Sequence, residues 1–344
     1  VHAADADAVI VQFAAVTTEI IRSMTKAKAI VRYGIGYDNV DGAAARARGI
    51  PLCKVPDCCI DEVADHTLAF ILALTRQVVP NSMHLREGRC GLATPLNAMS
   101  SLRHLTIGIV GFGRIGREVG RRLLAFRARV LVFDPVVEAH AIGKEGAVAA
   151  ASFEELLAQN DIVSPHCPST PRTKQLFNTA AFAKMKAGAL LSNVGRGDLA
   201  DSEAVTAALQ SGHLAGAALD LFDPEPIPVD HPIRRMPNAI LASHIDSASP
   251  PRRENAARNC RTNCPPGHPE RGASKHRQRR PRRNVESQHP SVPPIPARRS
   301  VFAPLSPLAA GPFFAKDLRT RAQPVRYSEP AVIALDKVLE KREF

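Results

Sequence analysis

LTIGIVGFGRIGREVGRRLLAFRARVLVFD, residues 105–134, is the stretch that decides the fold. Its first six residues, rich in Ile and Val, read as a buried strand, GFGRIG (111–116) as a glycine turn opening a helix, and RVLVFD (129–134) as a second strand ending on an acid. Gly111 permits the tight turn, Gly113 lets backbone approach a pyrophosphate, and Gly116 lets helix pack on strand. The helix N-terminus then turns its N–H groups toward the phosphates. Asp134 lies 18 residues after Gly116, where a carboxylate takes the adenosine ribose hydroxyls and repels a 2′-phosphate. The unit reads as a dinucleotide site that takes NAD rather than NADP.

Downstream, SFEELLAQN (152–160), DIVSPH (161–166), AAFAKMKAG (180–188), ALLSNV (189–194), SEAVTAALQSG (202–212), LAGAALDLF (214–222) and AILAS (239–243) alternate between helical and strand patterns. Such alternation argues an α/β fold, a Rossmann-type, doubly wound parallel sheet over 98–249. Upstream, AVIVQF (8–13), TTEIIRSMTKA (17–27), AIVRY (29–33) and PLCKVPD (51–57) read as strand, helix, strand, strand. DEVADHTLAFILALTRQ (61–77) is a long helix, acidic in its first turn. Residues 1–97 thus read as a smaller α/β domain for the substrate.

The chain holds 45 Lys and Arg against 33 Asp and Glu, a net +12 that taken alone suggests a nucleic-acid binder. Residues 250–344 carry 20 of those basic and 8 of those acidic residues, which leaves 25 of each sign before Pro250. The first 249 residues are therefore neutral and patterned like an ordinary soluble enzyme. The Arg- and Pro-rich run 250–312 lacks apolar periodicity, which predicts disorder or loose attachment. Only PAVIALDKVLEKREF (330–344) regains a helical pattern. Cys260, Cys264, His268 and His276 lack finger spacing and a core to orient them, so no metal is expected. The Arg cluster at 277–283 binds phosphates weakly and salt-dependently at most, so no nucleic-acid partner is expected either. Seven cysteines at irregular spacing and no signal-like start suit a reducing cytoplasm. No apolar run approaches the roughly 18 to 20 residues that span a bilayer.

NVGRGDLAD (193–201), ALDLFDPEP (218–226) and ILASHID (240–246) supply Arg196, Glu225 and His244. A fixed cation, a carboxylate and a histidine suit the interconversion of a 2-hydroxy acid and a 2-keto acid. Such a substrate brings a carboxylate to be held and a C2 oxygen whose proton must move. Singly, each residue has a plainer reading: an Arg-Gly turn, a solvated Glu between prolines, a structural His after a strand. Together, behind a dinucleotide signature, the chemical reading is favoured.

Seven motifs in order, VRYGIGYDNVD (31–41), VPDCCIDEVADHT (55–67), GIVGFGRIG (108–116), SPHCPSTPRT (164–173), NVGRGDLAD, ALDLFDPEP and SHID (243–246), carry a resemblance. From Asp7 to Ser249 the chain resembles the D-isomer-specific 2-hydroxyacid dehydrogenases, in the branch similar to C-terminal-binding proteins and phosphoglycerate dehydrogenase. The resemblance implies a flavodoxin-like substrate domain and an NAD-dependent D-2-hydroxyacid dehydrogenase. In it Arg196 and backbone N–H groups of the Tyr33–Gly34–Ile35 loop hold the substrate carboxylate. His244 is the general acid for reduction and the base in reverse, with Glu225 as its partner. It also implies cofactor contacts by Arg114 and Ile115 at the pyrophosphate, Cys167 and Pro168 beside the adenosine half, Val194 and Gly195 by backbone, Asp220 to the nicotinamide amide, and Thr67. A homodimer through the cofactor domain is implied as well.

A reading from a different class is an NAD(H)-sensing, corepressor-like scaffold, because such relatives keep the same three residues; a third is an inactive truncated product. Relatives open with a further strand and helix, which implies a substrate domain short by one unit and an exposed sheet edge. Cys58, Cys90, Pro165 and Lys54 stand where relatives carry Tyr, Trp, an apolar strand residue and Asn. After Ser249 relatives continue with a long amphipathic helix, and a change of reading frame would produce the switch to Arg and Pro seen here.

Overall fold

β1 (Ala8–Val11), α1 (Thr18–Ser23), β2 (Ala29–Arg32), α2 (Gly42–Ala47) and β3 (Leu52–Lys54) build a first α/β layer whose strands run parallel. The computed structural model describes residues 3–249 and the pair 333–334. Thr17 and Asp41 start the two short helices by accepting from Ile20 N and Ala44 N. Val9, Val11 and Ile30 of the strands pack with Ile21 of α1 and Ala45 of α2 into a core of their own.

There follow α3 (Ile60–Thr75), α4 (Val78–Arg86), β4 (Thr106–Val110), α5 (Arg114–Ala125), β5 (Arg129–Phe133), α6 (Ala139–Lys144) and β6 (Val148–Ala149). The chain then adds α7 (Phe153–Gln159), β7 (Ile162–Pro165), α8 (Thr179–Lys184), β8 (Ala189–Asn193), α9 (Ser202–Gln210), β9 (Leu214–Leu219) and β10 (Ala239–Leu241). These later strands form one parallel sheet in the order β10-β9-β8-β7-β4-β5-β6, the doubly wound architecture that the alternation predicts. Winding reverses between β4 and β7, and such a switch point opens a crevice at the carboxyl ends of the strands.

α3 packs on this sheet. Its Ala64 and Ile71 pack with Ile107 and Ile109 of β4 and Val119 of α5. Val63, Phe70 and Leu74 meet Val194 and Ala218. At the rim Arg122 of α5 binds Asp61 at 2.9 Å and Asp65 at 2.7 Å. By packing, α3 belongs to the seven-stranded sheet, although its sequence falls within 1–97. Pro165 ends β7 opposite Val110, beyond the residues that pair with β8, so its missing N–H weakens only the end of the ladder.

β11 (Ile333–Ala334) pairs antiparallel with β1, Val9 opposite Ala334 and Ile10 opposite Ile333. Two expectations are corrected here. The edge expected to be exposed is paired, and residues 333–334, expected within a helix, form a strand. An unpaired row of backbone N–H and C=O groups is a template for an extended segment, and that demand overrides the local helical pattern. The disorder expected over 250–312, the weighed zinc set and the Arg cluster lie outside the described residues. Among the described residues, no helix is long and apolar enough to cross a membrane, and no group of three His, Cys, Asp or Glu is placed to hold a metal ion.

Candidate active site

The turn after β4 is shaped by its glycines in different ways. Gly111 has φ +94°, and a Cβ there would stand 2.6 Å from the Cys167 backbone N, so only glycine fits. A Cβ on Gly116 would overlap the Gly111 carbonyl. Gly113 is open: beyond its immediate surroundings in the chain, no described protein atom lies within 4 Å of where its Cβ would be. The fold does not need that glycine, but a ligand approaching the first turn of α5 does, because the N–H groups there lack helical acceptors. Just past β5, the Asp134 carboxylate accepts from Phe112 N (2.7 Å), Val136 N (2.8 Å) and Val137 N (3.0 Å), which fixes it beside the turn. These residues fit a dinucleotide.

Arg114 reaches away from that turn. Its Nη1 donates to Pro56 O at 2.8 Å and pairs with Asp57, bridging α5 to the loop after β3. Ile115 packs half-buried between α5 and α3. Thr67 is fully buried and donates to Val63 O at 2.7 Å inside α3. Pro168 O accepts from Thr173 Oγ1 at 2.7 Å. Burial pushes the Cys167 thiol up to about 11, so it stays neutral and is no nucleophile.

Arg196 is set by the segment after β8. Asn193 accepts from Gly195 N (3.0 Å) and donates to Arg196 O (2.8 Å), a side-chain turn that fixes the backbone. The guanidinium extends to the loop after β2. Nε donates to Asp38 Oδ1 at 3.1 Å, Nη1 donates to Gly195 O at 2.7 Å, and Nη2 lies where a Cβ on Gly36 would be. Burial disfavours the Asp38 carboxylate, yet Arg196 and, more weakly, Arg32 hold it below the usual range. One expectation changes: Tyr33 N donates to Val11 O (2.7 Å) and Gly34 N to Arg32 O (2.9 Å). Those two N–H groups close the strand end and its turn. Of the three expected donors, Ile35 N alone has no acceptor among the described residues.

His244 follows β10 with φ +57°, a left-handed conformation that histidine tolerates better than most residues. Fully buried Asp220 imposes it: its carbonyl accepts from His244 N (2.8 Å), and its carboxylate accepts from Ile245 N (3.0 Å) and Asp246 N (2.8 Å). The imidazole Nδ1 meets Glu225 Oε1 at 3.1 Å. Nε2 is thereby left for a substrate. The Phe13 ring stands edge-on at 5.3 Å. Burial works to lower the proton affinity of His244, but the Glu225 hydrogen bond and charge, with Asp246 and Asp220 behind, raise it above the ordinary histidine value. Asp246, lifted by its own burial, feels both His244 and Arg196, so those two side chains lie within electrostatic reach of one carboxylate.

Sequence reading missed Gly36, Asp38, Phe13 and Asp246. Gly36 and Asp38 lie within VRYGIGYDNVD, and Asp246 ends SHID. The motifs mark the segments, but a pairing across 158 positions leaves no local pattern.

Comparisons with known proteins point to one family. The family model described as D-isomer specific 2-hydroxyacid dehydrogenase, NAD binding domain, matches residues 68–246. A glyoxylate reductase of Korarchaeum cryptofilum is 36% identical over 236 residues, 68% of this chain and 71% of that protein. A D-3-phosphoglycerate dehydrogenase of Mycobacterium leprae is 36% identical over 246 residues, 71% of this chain but 46% of that protein. The chain thus spans about half the length of that relative. Among solved structures, D-lactate dehydrogenase from Aquifex aeolicus, complexed with NAD and lactic acid, superposes with a TM-score of 0.69 at 27% identity, covering 76% of this chain and 82% of that one.

Proposed function

This chain belongs to the D-isomer-specific 2-hydroxyacid dehydrogenase family, and on that premise we propose that it interconverts a D-2-hydroxy acid and a 2-keto acid with NAD. When bound, the dinucleotide supplies hydride to C2 or takes it away. Arg196 holds the substrate carboxylate with the edge of its guanidinium beside Gly36, and Ile35 N adds a backbone donor. The same cation steadies the charge that grows on the C2 oxygen. His244 gives that oxygen a proton from Nε2, and Glu225 keeps the ring charged and oriented through Nδ1. In oxidation the neutral ring takes the proton back. The observation that carries this reading is the 3.1 Å pair of His244 and Glu225 in the cleft that Arg196 lines.

NAD is held along Gly111–Gly116, with the ribose on Asp134. Cys167 and Pro168 lie beside the adenosine half. Val194 and Gly195 contribute backbone contacts, Asp220 meets the nicotinamide amide, and Arg114 and Ile115 meet the pyrophosphate through the backbone of the first turn of α5. Residues 1–97 serve the substrate and 98–249 the dinucleotide, with α3 packed on the latter. Val78, Val79, Met83 and Leu85 of α4, with Leu92 and Leu96, are each at least 41% exposed. α4 lies against α3, on the dinucleotide side although its sequence falls within 1–97, and exposed apolar side chains of this kind call for a partner, here a second copy of the chain. Cys90 and Cys167 are thiols rather than halves of a disulfide, which suits a reducing, cytoplasmic setting.

The test is NADH oxidation by the purified chain with glyoxylate, hydroxypyruvate, pyruvate and longer 2-keto acids. One or more should be turned over, and His244→Gln should lower kcat by about 100-fold or more while NADH still binds. NADH binding without turnover of any of them would favour the scaffold reading instead.

A further inference from the structure

We propose that Asp38 is a positioning residue: it grips the Nε edge of Arg196 so that the rest of the guanidinium faces the substrate carboxylate. The proposal rests on the reading of Arg196 as the carboxylate anchor. Arg196 follows β8, whereas Asp38 stands on the loop after β2. A guanidinium is planar, so fixing two of its nitrogens fixes its plane. Asp38 Oδ1 holds Nε at 3.1 Å and Gly195 O holds Nη1 at 2.7 Å, leaving Nη2 against Gly36. The glycine makes that placement possible, since any side chain there would displace the arginine.

The pair is too open to serve mainly stability, with side chains 27% and 53% exposed, and ion pairs of that kind contribute little to folding. Asp38 also has an effect of opposite sign, because a carboxylate beside the anchor repels an incoming anion. At this exposure that repulsion is screened by solvent, whereas a guanidinium displaced by about 1 Å misplaces the keto oxygen and costs on the order of 100-fold in rate. Orientation therefore outweighs repulsion.

The experiment measures steady-state NADH oxidation with glyoxylate, and NADH affinity by fluorescence, for the full chain carrying Asp38→Ala, Asp38→Asn, Arg196→Lys and the pair Asp38→Ala with Arg196→Lys. Asn keeps an oxygen for Nε and drops the charge; Lys has no Nε to grip. Asp38→Ala should lower kcat/KM by about 10- to 100-fold with NADH affinity unchanged, and Asp38→Asn should stay within about 3-fold of the parent. In the Arg196→Lys background Asp38→Ala should add nothing. Equal or higher kcat/KM in Asp38→Ala, no rescue by Asn, an undiminished effect in the Arg196→Lys background, or loss of NADH binding would each overturn the positioning role. Full turnover by Arg196→Ala, measured in parallel, would instead remove the anchor reading.

Discussion

At the scale of single residues, the role proposed for His244 predicts the pH dependence. Reduction needs its proton, so kcat/KM for the keto acid should be level at low pH and fall about tenfold per unit above the raised histidine value. Oxidation should show the mirror image. Glu225 is the first favourable influence on that proton once burial is overcome. Glu225→Gln keeps an oxygen near Nδ1 but removes the charge, so the falling limb should move to lower pH. A limb that stayed in place in the pH–rate profile would show that the carboxylate charge does not hold the proton. His166, just past the end of β7, is no rival: burial pushes it down to about 4. Arg196, Glu225 and His244 were legible because each sits in a short motif whose flanking residues fix its backbone. Asp38 and Phe13 were not, because their importance lies in what they meet across the cleft.

At the scale of elements, Gly111 and Gly113 of the turn after β4 should separate when each becomes alanine. Gly113→Ala meets no described protein atom beyond its immediate surroundings in the chain, so its stability should change by no more than about 1 kcal/mol, the range of an N-cap substitution. Its NADH affinity should nevertheless fall by about tenfold or more. Gly111→Ala adds left-handed strain and a clash with Cys167, costing about 1–3 kcal/mol. Urea unfolding beside an NADH titration checks both; equal loss of stability in the two variants would contradict the distinction. Arg122, which binds Asp61, Asp65 and Glu118, should lose about 1 kcal/mol on conversion to Ala, visible as a lower urea midpoint. β4, β5, α7 and α9 were legible because their apolar spacing is regular and their ends are marked by Gly, Ser and Asp. α2, α6 and β6 are only two to six residues long, and α4 contains Pro80 and buries no residue, so periodicity had little to report.

At the scale of the molecule, the parallel sheet and its dinucleotide crevice follow from the order of elements, whereas the surface needs coordinates. The exposed apolar residues of α4 predict self-association: sedimentation should show a dimer, and Met83→Glu with Leu85→Glu should shift it to monomer while each chain still binds NADH. A parent protein that sediments as a monomer at micromolar concentration would count against the second copy as occupant. β11 carries a consequence in time. Val9 waits for Ala334 and Ile10 for Ile333. At a synthesis rate of about 5–20 residues per second, those partners leave the ribosome roughly 15 to 65 s after β1. For that interval the newborn first layer presents a free hydrogen-bonding margin to every neighbouring chain. Its exposure to misassembly is governed by translation speed, and slowing elongation downstream of codon 249 should raise the aggregated fraction before it changes anything in the finished molecule.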